Sequence, residues 1–237
     1  MSQAVLLNNI DHHDLRVITA RGAPYGDDTM LAPTFFREFR ELQAYYPIVF
    51  QKSGDGGLQP VALLGLRQNE NLFLDGPHWD AHYLPTAIER LPFLIGIADD
   101  EPMIHVDLDH PRVVRGDGQG EPVFLEHGGI TPFLERIASV LRLLHEGLQD
   151  NTDFIAALQR HELLEPFSLD IELNDGSQHR LSGFHTIHEQ RLQQLDGAAL
   201  LELSRAGYLE AAYMALASLS HLRDLIERMN RRHAAGR

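Results

Sequence analysis

The sequence predicts an α+β protein: an antiparallel, strand-rich N-terminal half packed with a helix-rich C-terminal half that carries one inserted β-hairpin. Three observations carry this. Up to residue 129, short apolar and β-branched runs recur between Gly, Pro, Asn and Asp clusters, the signature of short strands and turns. After Gly129 the apolar residues Phe133, Ile137, Val140, Leu141, Leu144 and Leu148 adopt a helical period. Further on, Phe167, Leu169, Ile171 and Leu173 alternate strictly with Ser168, Asp170 and Glu172, as a half-buried strand does.

Along the chain, Leu15-Arg16-Val17-Ile18 reads as a short strand. Residues 33–46 read as an amphipathic helix, because Phe35, Phe39, Leu42 and Tyr46 share one face and Pro33 suits a first turn. Ile48-Val49-Phe50 and the run 60–66 form a hairpin around Gly54 to Gly57, and 71–74 is a third strand. A short helix near 85–90 is followed by strands over 93–97 and 103–108. The glycines at 116, 118 and 120 form a hairpin loop ahead of Pro122-Val123-Phe124. Thr131 caps a helix with Pro132 at its first position, and Asn151-Thr152 starts a second helix that stops before Pro166. Asn174 to Ser177 turns strand 167–173 into a return strand around Leu181. Thr186 and Glu189 fit a capping box, Asp196 caps another helix that Gly207 ends, and a last helix runs over 208–232. We read 1–237 as a single domain, with a subdivision into a strand-rich 1–129 and a helical 130–237 carrying the hairpin 167–183.

The chain has 237 residues, with 20 basic and 34 acidic side chains and a formal charge of −14. A charge of this sign repels phosphate backbones and argues against nucleic acid as a partner. Its one basic cluster, Arg228, Arg231, Arg232 and Arg237, falls in the last turns of a helix, where cations complement the dipole. Cysteine is absent, which excludes disulfides, thiolate nucleophiles and Cys-ligated metal centres. No stretch approaches the ~18 apolar residues of a membrane helix, and residues 1–15 lack the basic and apolar regions of a secretory signal. The expectation is a cytoplasmic protein that does not insert into membranes.

Reactive constellations are sparse. His105, Asp107 and Asp109 lie two apart at a strand end. A strand ending in Asp-x-Asp can hold a divalent cation, and His-x-Asp matches two ligands of a non-haem iron site. The opposing reading is the solvent face of a half-buried strand. His78 and His82 flank Trp79 in a turn, His185 and His188 stand three apart, and His12-His13 sits in a polar stretch expected to face solvent. No Gly-x-Ser-x-Gly elbow or P-loop is present. Arg67, Glu70, Asn71, Trp79 and Tyr83 cluster around predicted strand ends with the composition of a recognition surface.

Several of these runs, taken together, resemble the bacterial SapC family. They are Tyr46-Pro47-Ile48-Val49-Phe50, Pro60-Val61-Ala62-Leu63-Leu64-Gly65-Leu66, Glu70-Asn71-Leu72-Phe73, Trp79 with Tyr83 and Pro85, Pro92-Phe93, Thr131-Pro132, and Gly183 with Glu189 and Leu192. The resemblance implies an association with surface layers or peptide transport. It implies no catalytic residue set and no cofactor. The combined expectation is a non-enzymatic accessory or binding protein that engages a protein or peptide partner, with His105, Asp107 and Asp109 as the metal-enzyme alternative. A homodimer through the C-terminal helix, with Tyr208, Tyr213 and Met214 in its interface, is the structural option.

Overall fold

The strict alternation in 167–173 does produce a strand, Leu164–Glu172, paired antiparallel with Gln178–Ile187. The computed structural model describes residues 4–54, 56–98, 101–116 and 118–236. Asp55 and Asp117, which fall in two of the loops read above, and Arg237 of the basic cluster lie outside them. The secondary structure is α+β with antiparallel sheets. The chain divides into two compact units, each assembled from two separate stretches: Met1–Asp28 with Leu74–Glu146, and Thr29–Phe73 with Gly147–Arg237.

The first unit holds two three-stranded sheets. In one, Glu101–Asp107 lies between Ala4–Leu6 and Phe93–Ala98. In the other, Leu15–Val17 lies between Val113–Arg115 and Glu121–Pro122. The glycine loop at 116–120 therefore does not close a hairpin. The strands on either side of it pair with Leu15–Val17 instead of each other, a long-range choice that no local turn signal reports. Leu15, Val17, Phe93, Val106, Val123, Leu134, Ile137 and Leu141 form the core. Their apolar faces bring both sheets and the first half of the helix Pro132–Arg160 together.

One polar group is sealed into this unit. Arg112 is 1% exposed. It donates from Nη2 to both Asp27 carboxylate oxygens at 2.7 and 2.6 Å, and from Nη1 to the Ile18 and Ala20 carbonyls at 2.8 and 2.7 Å. The Asp27 side chain is fully buried and also receives the Gly22 amide. Charge-assisted bonds of this kind, from both terminal nitrogens, are what make a buried ion pair tolerable. Arg112 thereby ties the loop 18–27 to the strand Val113–Arg115.

The second unit is built on a five-stranded antiparallel sheet. Its order is Leu164–Glu172, Gln178–Ile187, Ile48–Lys52, Leu58–Leu63, Leu31–Pro33. The hairpin strands slip by one residue beyond Phe167, where Ser182 and Gly183 face Ser168. Gly183 takes φ +87°, a conformation bulges reserve for glycine. Rings fill the core: Phe154 meets Phe36, Phe39, Phe50 and Tyr208 at centroid distances of 5.2, 5.9, 6.3 and 5.3 Å.

Several local expectations give way to this packing. Pro33 ends a strand, and 33–46 yields only the 3-10 turn Phe36–Glu38 and the helix Phe39–Leu42. Phe35, Phe39, Leu42 and Tyr46 are nevertheless all buried, so the burial pattern held while the backbone period did not. The two helices expected on either side of Asn151 are one, Pro132–Arg160. Asn151 is buried within it, accepting from the Phe36 amide at 3.1 Å and donating to the Thr34 carbonyl at 2.8 Å. Gly147 sits where the Phe35 ring meets the helix: a Cβ there would fall 2.3 Å from ring carbons. Thr131 does cap this helix, accepting from Leu134 N–H.

Downstream, Thr186 remains in a strand and its hydroxyl is buried without a partner. No capping box forms at Glu189–Gln193. Asp196 caps Gly197–Arg205 by accepting from Ala199 N–H at 2.8 Å. The final helical region is two helices, Tyr208–Ser218 and Leu222–Ala234, joined by the 3-10 turn Leu219–His221.

Candidate functional site

The residues singled out for recognition divide between the units. Arg67, Glu70 and Asn71 belong to the second, where the loop after Leu58–Leu63 is folded tightly enough that a Cβ on Gly65 would lie 2.3 Å from the Glu70 carbonyl oxygen. Glu70 shapes this loop. One carboxylate oxygen accepts from Leu66 N–H at 3.1 Å, and the other accepts from Arg67 Nη2 at 2.8 Å. Asn71 is 1% exposed, and its side chain accepts from Phe73 N–H at 2.9 Å. Arg67 is the accessible member, with its side chain 46% exposed. Trp79 and Tyr83 belong to the first unit and are half-buried; Trp79 pairs with Leu74 in a two-strand turn around Gly76 and Pro77.

Arg67 is held from two sides. Besides Glu70, its Nη2 lies 3.3 Å from Nε2 of His233 on the C-terminal helix. The other nitrogen of His233 is 3.0 Å from Asp175 at the hairpin tip. Asp175 also accepts from the Ser177 hydroxyl and amide at 2.6 and 2.9 Å. These bonds, Ser177 first and His233 after it, hold the Asp175 carboxyl well below the usual carboxylate range. It therefore keeps its charge, and its hold on His233, far into acid. The basic cluster of the last helix folds back as well: Arg232 donates to the Asn71 carbonyl at 2.6 Å, and Arg228 stacks on Phe73 at 4.4 Å.

His105, Asp107 and Asp109 are not assembled into a ligand set. The His105 ring lies over Gly96 of the neighbouring strand, with Nδ1 3.2 Å from the Met103 carbonyl. Asp107 accepts from Asp109 N–H and closes the turn after the strand. Among the described residues, no three His, Asp or Glu side chains are grouped to hold a metal ion, so the metal-enzyme alternative has no support. His12 is buried, not solvent-facing, and its Nδ1 accepts from Asn8 N–H at 3.1 Å. Tyr208, expected in a dimer contact, has its ring engaged by Phe36 and Phe154. Tyr213 is 49% exposed.

A groove of about 410 Å³ in the second unit escaped the sequence reading. It lies between the Phe36 turn and the start of the helix Tyr208–Ser218 and is lined in part by Arg37, Arg40 and Arg205. The two contributing segments are more than 160 positions apart in the chain, so no spacing signal joins them.

The fold is an antiparallel α+β one. The sequence model of SapC matches residues 7–225, and the chain belongs to the SapC family. No curated protein and no solved structure matches it. Among the described residues, no helix is long and apolar enough to cross a membrane.

Proposed function

We propose that this chain is a non-enzymatic accessory protein of the SapC type that binds a protein or peptide partner, in surface-layer or peptide handling. The observation that carries the reading is the setting of Arg67. It is an exposed guanidinium fixed by Glu70 and His233 before any partner arrives. Arginine is among the residues that dominate binding energies at interfaces, and a side chain already held loses less conformational freedom on binding. In the first unit, Trp79 and Tyr83 independently offer half-buried aromatic surface. The same reading places the protein's work in the cytoplasm.

The test is affinity capture from the native host with wild-type and Arg67→Glu bait, followed by titration of the purified partner. A saturable partner should bind the wild type and bind the variant at least about tenfold more weakly, ~1.4 kcal/mol. A purified protein that turns over a small substrate, and stops on one substitution, overturns the reading.

A further inference from the structure

The groove beside Phe36 carries charge opposite to that of the rest of the molecule. Three arginines line it, Arg37, Arg40 and Arg205, against one acid, Glu210. That is +2 in the lining of one groove, or +1 once Asp150 beside Arg37 is counted, on a chain of −14. Its volume of about 410 Å³ falls in the ~300–1,000 Å³ range of ligand clefts.

The arginines are accessible. The Arg37 and Arg40 side chains are 61% and 65% exposed, and each already meets a carboxylate: Asp150 for Arg37 at 2.9 Å, Glu210 for Arg40. Arg205, in the last turn of Gly197–Arg205, is exposed, and its side chain makes no hydrogen bond or ion pair among the described residues. Phe36 and Met214 add apolar wall. A planar guanidinium matches a carboxylate in a two-pronged geometry. In this groove, two of the three are occupied by the chain's own acids and one is open.

We infer that this groove receives an acidic peptide segment, whose carboxylates bind Arg205 and share Arg37 and Arg40 with Asp150 and Glu210. The inference rests on the binding reading above and names the chemistry of the partner. A peptide fits better than an isolated small anion because the lining combines three guanidinium groups with the apolar walls of Phe36 and Met214, so successive residues can place carboxylate and methylene groups together. The charge contrast also predicts faster, salt-sensitive association, since the local field attracts what the remaining surface repels.

The probe is fluorescein-labelled hexaglutamate, read by anisotropy, with labelled hexaglutamine as the neutral control and inorganic phosphate as a small-anion competitor. Hexaglutamate should bind saturably and weaken with salt, while hexaglutamine should not bind. Arg205→Glu should weaken binding at least tenfold with an unchanged thermal midpoint. Glu210→Gln, which releases Arg40 from its internal partner, should tighten binding about threefold. This gain does not depend on how well the Arg205 variant folds. Equal binding by wild type and Arg205→Glu, no gain in Glu210→Gln, or equal binding of the two peptides would overturn the assignment. Displacement by phosphate at matched anion concentration would make the groove a small-anion site and likewise overturn it. If the native partner is captured equally by Arg205→Glu and wild type, the groove assignment falls while the binding reading stands.

Discussion

Arg112 in the first unit and Arg67 in the second stand in opposite settings. In the first, Arg112 is sealed inside and donates to four acceptor atoms, two of them the Asp27 carboxylate oxygens. In the second, rings occupy the interior, and Arg37, Arg40, Arg67 and Arg205 stand at the surface. The same side chain is an internal fastener in one place and a surface group in the other. Composition does not separate these roles; burial and the number of acceptors do. Removing a buried charge's partner leaves an uncompensated ion, whereas removing an exposed one leaves water in its place.

The largest expected effect breaks the first setting. Arg112→Met should destabilise by ~3–5 kcal/mol in urea unfolding, because Asp27 is left buried with only the longer Arg21 contact, at 3.8 Å, to offset its charge. Adding Asp27→Leu to that variant should recover part of the loss; a further loss would show that the pair is not the source. Next comes the rigid packing of the second unit. Gly147→Ala forces a methyl group into the Phe35 ring and should cost ~1–3 kcal/mol. Asn151→Ala should cost a similar ~1–3 kcal/mol, since it strands the Phe36 amide and the Thr34 carbonyl. Both are readable as shifts in the unfolding midpoint.

Acid provides a smaller perturbation directed at the first unit. Burial, then the nearby Arg112 charge, pushes the His110 imidazole below its ordinary value. A group whose folded pKa is depressed adds stability at higher pH and loses it as pH falls, here from about 6.5 downward. His110→Gln should flatten that part of the stability–pH profile, and an unchanged slope would remove His110 from the account. Smallest in stability is Arg67→Ala, expected within about 0.5 kcal/mol of wild type for an exposed side chain. It is also the sharpest test of the contrast, since its effect should appear in partner binding alone.

The legible part of the site was Arg67 with Glu70, because both lie in one loop between recognisable strands. Its third member, His233, was not legible; it is 166 positions away and reaches Arg67 only because the last helix packs beside that loop. The three-arginine groove was missed for the same reason.

What the sequence determined alone were features governed by a few neighbouring residues. Among them are the Thr131-Pro132 helix start, the Asp196 cap, the hairpin turn at Asn174–Ser177, and the faces that would be buried. Capping bonds and turn dihedrals are satisfied within a few positions, so their signals survive in the local pattern. Tertiary structure alone decided that Leu15–Val17 separates two strands expected to pair, that Asn151 lies inside a helix instead of starting one, and that Arg112 meets Asp27 across 85 positions. Those outcomes depend on which distant surfaces close together, and a buried polar group takes whatever partner that closure supplies.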